Sequence, residues 1–374
     1  MIDIDEPAAE MPSCLADFRR AAKAVLRSDV WDFIEGGSGM EKTIEANRAA
    51  FDGIALVPRV LAGVITGNTR GRLLGSEVAM PVAIAPMAYQ RLVHRDGEIA
   101  AARAACSAGI PFVMSTMSSC RFGDITATGA RTWFQLYWLR DHEKVVELVS
   151  NAENLGCQAL VVTVDVPIMG RRNRDVRNQF ALPPDVGAVN LDSGPTEANL
   201  AASGTSAIAT YTDSLFAQGL AWRDLEWLRQ HTALPLVVKG ILDPRDARLA
   251  VECGVDAVVV SNHGGRQLDG APPSIAELPA VVEAVSGECE VLLDSGVRSG
   301  TDVLRALALG AVGMLIGRPA LWGLAVGGER GIAEVLSLLQ VEFREAMTLA
   351  GCADLAAAAR LRTREVSVNA RRSR

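Results

Sequence analysis

The sequence predicts an α/β fold: a (β/α)8 TIM barrel with an N-terminal helical extension and a long loop after its fourth strand. Three observations predict it. Eight short β-branched runs recur at intervals from residue 80 onward, amphipathic helical segments lie between them, and polar residues gather at the C-terminal ends of the runs. Alternation of strands and helices implies a parallel sheet. Strands apolar on both faces imply cover on both sides. A doubly wound open sheet is the competing topology, and the polar strand ends favour the barrel.

The runs are Pro81–Ala85, Pro111–Ser115, Thr132–Tyr137, Ala159–Asp165, Pro235–Lys239, Asp256–Ser261, Glu290–Asp294 and Val312–Gly317. Each is too short for a helix and is bounded by turn residues. Helical patterns follow at Gly97–Ala105, Asp141–Val149, Pro244–Glu252 and Thr301–Leu309. Residues 1–75 read as a helical lead-in, with Pro12 and Ser13 opening a helix over Leu15 to Arg27. Residues 76–360 form the barrel, 329–360 being helical, and 361–374 are expected to be a flexible basic tail. Between 178 and 222 there is no Lys, Arg or His, and small residues dominate. A loop of that length in a compact domain is usually a lid or partly disordered.

Composition narrows the function. The chain has 374 residues and a formal net charge of −7, against a nucleic-acid partner, which would need a basic face. Seven cysteines, never closer than the fourteen positions from Cys106 to Cys120, give no disulfide framework or zinc-ligand spacing, and no metal is expected. The N-terminus is acidic and lacks a signal-peptide pattern. The longest apolar stretch, Leu307 to Gly328, is broken by Arg318 and Pro319 and reads as a buried strand entering a buried helix. A cytoplasmic protein away from membranes is expected.

The strand ends carry Ser115, Gln135 with Tyr137, Thr163 with Asp165, Lys239, Ser261 with His263, Asp294, and Gly317 with Arg318. Barrels build their active sites at that face, and isolated polar residues elsewhere on interior strands would lack partners. The turn from Asp294 through Ser295, Gly296 and Arg298, with Ser299 and Thr301 available as helix caps, and the Gly317–Arg318 turn after the last strand, suit a phosphate. His263, three residues from Arg266 with two glycines between, suits a base beside an anion clamp. No P-loop or Rossmann turn occurs.

The segments Ser261–Asp269, Leu234–Gly240, Thr132–Tyr137, Thr163–Arg172, Ile84–Gln90 and Ile316–Pro319 resemble the FMN-dependent 2-hydroxy acid oxidase and dehydrogenase family, in the family's order from about Leu15 to Ala358. The resemblance implies FMN as cofactor. Its phosphate would lie on Asp294, Ser295, Gly296, Arg298, Gly317 and Arg318. Its ring system would meet Met87 and Ala88, the side chains of Ser115, Gln135, Thr163 and Ser261, and the Lys239 ammonium. It further implies His263 as general base oriented by Asp165, Arg172 and Arg266 on the substrate carboxylate, and Tyr137 on the reacting hydroxyl. The implied reaction oxidises a 2-hydroxy acid to a 2-oxo acid, with molecular oxygen reduced to hydrogen peroxide, or with a quinone-like acceptor. Barrels of this family are often homo-oligomers, tetramers in particular.

The chain departs from the glycolate-type pattern at Phe33, where those members carry Tyr, and at Met117, where they carry Trp. An apolar wall in place of a phenol favours an aryl acid, (S)-4-hydroxymandelate or mandelate, as in the hydroxymandelate oxidases, over glycolate. Ala88 stands where many oxidases of the family have Ala and some dehydrogenases have Gly, which favours oxygen. Ser295 replaces the first Gly of the usual turn and is expected to be a mild change. The alternatives are a mandelate or lactate dehydrogenase with a quinone-like acceptor, and a barrel that binds a phosphate ligand without redox chemistry.

Overall fold

The computed structural model describes residues 12–191 and 206–366. Eight parallel strands close into a barrel: Val82–Ile84, Phe112–Ser115, Thr132–Leu136, Leu160–Thr163, Leu236–Ile241, Ala257–Val260, Glu290–Leu293 and Gly313–Ile316, the last pairing back onto the first. All eight predicted runs are barrel strands. Alternate residues divide the core. Ala83, Val113, Trp133, Val161, Val237 and Val259 belong to an interior cluster of mostly small side chains. Their neighbours, such as Ile84, Phe112, Phe134 and Leu160, pack outward against the helices.

Several helices begin where the sequence supplies a cap. Asp243 accepts the Arg245 N–H ahead of Pro244–Glu252, which carries Pro at its first position. Asp141 caps His142–Asn154, and Ser299 caps Gly300–Ala308 while Thr301 lies inside that helix. The last strand runs into Arg318–Ala350, a long helix interrupted at Gly327 and Gly328. Helix Leu15–Val25 packs against it, closing the lead-in onto the barrel.

Three local expectations change. The lead-in is not wholly helical: Gly71–Leu73 and Ser76–Val78 form a hairpin whose Leu73, fully buried, joins the interior cluster and plugs the barrel's N-terminal end. The tail placed at 361–374 begins later, because Thr363–Glu365 pair antiparallel with Ile54–Leu56. Residues 367–374 lie outside the described residues. The loop at 178–222 contains helix Ala207–Leu215, capped by Ser206, before helix Trp222–Arg229 begins. The rest of that expected lid, residues 192–205, lies outside the described residues. Among the described residues no helix is long and apolar enough to cross a membrane.

Candidate active site

His263 and Asp165 come from different strand ends, 98 positions apart, and meet at 3.0 Å between Nδ1 and Oδ1. The backbone brings them together through two constrained residues. His263 itself sits at φ +56° directly after the sixth strand. Gly240 makes room on the other side: at φ +117° it forms a bulge in the fifth strand, and a Cβ there would lie 2.6 Å from the Asp165 Cβ. Burial lowers the His263 pKa below the ordinary imidazole value, an effect the Asp165 carboxylate only partly opposes. A neutral ring whose Nδ1 faces a carboxylate keeps its proton there and leaves Nε2 as an acceptor. The second Asp165 oxygen is buried without a partner.

Lys239 points inward from the same bulged strand. Its Nζ lies 2.8 Å from Asp294 Oδ2 and donates to Ser261 Oγ at 3.0 Å, and Ser261 donates to Asp294 at 2.7 Å. Burial alone would pull its pKa down, but Asp294 and then Asp165 outweigh it and hold the ammonium above its ordinary value. Its carboxylate neighbours therefore favour the charged form. Asp294 lines the cleft, with its carboxylate bonded to Lys239 and Ser261. Ser115, Gln135 and Thr163 form a buried chain beneath the mouth, Ser115 Oγ to Gln135 Oε1 at 3.1 Å and Gln135 Nε2 to Thr163 Oγ1 at 3.0 Å.

Above these groups lies a cleft, partly open to solvent, lined by Met87, Ala88, Tyr137, Lys239, His263, Ser295, Gly296 and Gly317. Phe33 and four arginines, Arg172, Arg266, Arg298 and Arg318, also line it. Burial, with repulsion from neighbouring arginines, lowers the pKa of all four guanidiniums. That much desolvated positive charge favours anions. Arg172 has a buried Nε with no hydrogen-bond partner and only a loose contact, 3.9 Å, to Asp175. Arg266 is anchored by its Nη1 to the carbonyls of Phe33 and Gly36, both at 2.8 Å. The guanidiniums of Arg172 and Arg266 lie over the Phe33 ring, which stacks on Phe180 at 4.7 Å.

At the other end, the 294–298 turn is less open than the sequence suggests. The Arg298 N–H is donated to Asp302 at 2.9 Å and the Ser295 N–H is directed at Asp294, leaving the N–H groups of Gly296 and Val297. Arg318 donates to the carbonyls of Ile34, Gly264 and Gly36. Ser295 brings two opposing features. It holds φ +82°, a conformation that favours glycine, and its Oγ accepts the Gly264 N–H at 2.9 Å. A cleft with Arg298 and Arg318 beside the 294–298 turn, the Lys239 ammonium in its lining, and Arg172, whose buried Nε has no hydrogen-bond partner, fits FMN together with a carboxylate substrate.

Several lining residues were not legible in sequence. Ile208, Thr212 and Phe216 reach the cleft from the cover segment, and Phe216 stacks on Tyr137 at 4.6 Å. Nothing in that segment's composition marks them. Gln267 was signalled by its place in the Ser261–Asp269 motif: it donates to the carbonyls of Asp165 and Ile168 and accepts from Gly170, fixing the Asp165 loop. Asp269 of the same motif accepts from the Met40 and Thr43 N–H groups, tying the motif to the segment after Phe33.

A family model described as FMN-dependent dehydrogenase matches residues 22–365. A 4-hydroxymandelate oxidase of Amycolatopsis orientalis is 52% identical over 94% of this chain and 98% of its own length. An L-lactate oxidase of a Nostoc species is 46% identical over 93% of this chain and 97% of its own. The crystal structure of a mandelate oxidase with (S)-4-hydroxymandelic acid superposes with a TM-score of 0.93 at 51% identity, covering 96% of this chain and 100% of that one.

Proposed function

The chain belongs to the FMN-dependent dehydrogenase family of 2-hydroxy acid oxidases, and we propose that it oxidises (S)-4-hydroxymandelate or mandelate to the corresponding benzoylformate. The observation that carries the reading is His263, paired with Asp165 at 3.0 Å, in one cleft with Arg172, Arg266 and an aromatic wall. The substrate loses two electrons and two protons, and oxygen takes them up as hydrogen peroxide. Oxygen reduction accords with Ala88 and with the oxidase relatives.

The FMN phosphate would be held by the Gly296 and Val297 N–H groups with the charges of Arg298 and Arg318, and the ring system by Met87, Ala88 and Lys239. When bound, FMN supplies the two-electron acceptor and the route to oxygen. Everything else falls to the protein. Arg172 and Arg266 bind the substrate carboxylate and fix the acid against the Phe33 ring. Tyr137, its phenol kept neutral by burial, donates to the 2-hydroxyl. His263 Nε2 takes up a substrate proton, and Asp165 stabilises the imidazolium that results. Lys239 keeps a fixed positive charge beside the site. The cover helix Ala207–Leu215 excludes water.

Cytoplasmic residence and a homo-oligomer, a tetramer, complete the reading. The exposed loop bearing Val60, Leu61 and Ile65 supports association. The test is direct: the yellow protein given (S)-4-hydroxymandelate in air should consume oxygen and release peroxide in step with the 2-oxo acid. Turnover that needs an added quinone would overturn the oxidase reading.

A further inference from the structure

The chain has three tyrosines, and all three stand close together at the covered end of the barrel. Tyr137 faces the reacting hydroxyl in the reading above, and Tyr211 lies on the cover helix. Tyr89 has had no role. It follows the first barrel strand at φ +55°, a backbone conformation costly for an aromatic residue, and its N–H is held by the Met117 carbonyl at 3.1 Å. Its ring is 2% exposed and lines the cleft, and its hydroxyl is buried with no hydrogen-bond partner.

The surrounding wall is apolar, with Leu92, Val93, Met117, Ile208 and Phe216. Other polar side chains there are already engaged. Thr212 Oγ1 donates to the carbonyls of its own helix, and Gln267 is held by the Asp165 loop. Tyr211, Tyr137 and Arg172 are the ionisable groups near the Tyr89 hydroxyl, and none of them is hydrogen-bonded to it. In the aryl-acid reading, a substrate ring anchored by its carboxylate at Arg172 and Arg266 would lie against this apolar lining of the same cleft.

We propose that Tyr89 is a specificity-determining residue whose hydroxyl hydrogen-bonds the ring hydroxyl of a 4-hydroxyaryl substrate. The proposal rests on the aryl-acid reading. A buried hydroxyl without a partner is destabilising; a 4-hydroxyl group on the ring supplies the partner, and an unsubstituted ring does not. A site built to bond a substrate hydroxyl discriminates against the analogue lacking it more strongly than an apolar pocket can discriminate by size.

The experiment compares wild-type enzyme with Tyr89→Phe on (S)-4-hydroxymandelate, (S)-mandelate and 4-methylmandelate, measuring kcat/KM for each and binding of the matching benzoylformates. In the variant the preference for 4-hydroxymandelate over mandelate should fall about tenfold, with mandelate turnover within about twofold of wild type. In the wild type, 4-hydroxymandelate should surpass the similarly sized 4-methyl acid, a comparison that holds even if the variant folds poorly. An unchanged preference, an equal loss on both acids, or a wild type favouring the methyl compound would overturn the role of Tyr89. A wild type that oxidises no aryl acid would overturn the substrate reading itself, and this proposal with it.

Discussion

Ser295 Oγ accepts the Gly264 N–H at 2.9 Å, while Arg318 donates to the carbonyl of the same glycine at 3.0 Å. The residue next to the base is thus gripped from both sides by the turns that form the cationic end of the cleft. This explains why a serine is tolerated at φ +82°. The left-handed backbone costs a non-glycine residue about 1–2 kcal/mol, and the hydrogen bond returns about 0.5–1.5 kcal/mol.

Two substitutions separate these effects. Ser295→Gly removes strain and bond together and should lie within about 1 kcal/mol of wild type. Ser295→Ala keeps the strain and loses the bond, and should be less stable than Ser295→Gly by about 1–2 kcal/mol. Urea unfolding of the two holoproteins measures the difference. Equal stability would mean that the backbone at 295 is not strained.

The pH dependence follows from His263. The reaction needs the neutral imidazole, and burial lowers its pKa. The acid limb of kcat/KM, which reports the free enzyme, should therefore fall below about 6.5, with a plateau through neutral pH. Asp165 raises the His263 pKa, so Asp165→Asn should move that limb to still lower pH while reducing the plateau rate. A limb that moves upward in the variant would contradict the pairing.

Phe33 sets the carboxylate end of the cleft between Arg172 and Arg266. Phe33→Tyr adds a donor beside a charged acceptor, worth about 1.5–3 kcal/mol where geometry allows. The ratio of glycolate to mandelate kcat/KM should rise about tenfold or more. An unchanged ratio would show that selectivity is set elsewhere in the wall.

The barrel was legible because its strands are buried on both faces and read as continuous apolar runs, and the site because polar residues cannot sit in such strands except at their open ends. Lys239, His263 and Asp165 could be found that way. The Ile54–Leu56 and Thr363–Glu365 pair could not: three-residue edge strands joined across the whole chain carry no periodicity. Ser295 looked innocuous because a positive φ leaves no trace in composition. Tyr89 carries no such mark in the sequence, and only burial without a partner singles out its hydroxyl.

The central claim is that His263 removes the substrate proton during oxidation of an aryl 2-hydroxy acid. Anaerobic mixing of the yellow enzyme with (S)-4-hydroxymandelate, followed by flavin absorbance, tests it most directly. Wild-type enzyme should bleach faster with this acid than with glycolate, and His263→Ala should stay yellow with the rate down about 10²–10⁴-fold. Bleaching of His263→Ala at the wild-type rate would contradict the account.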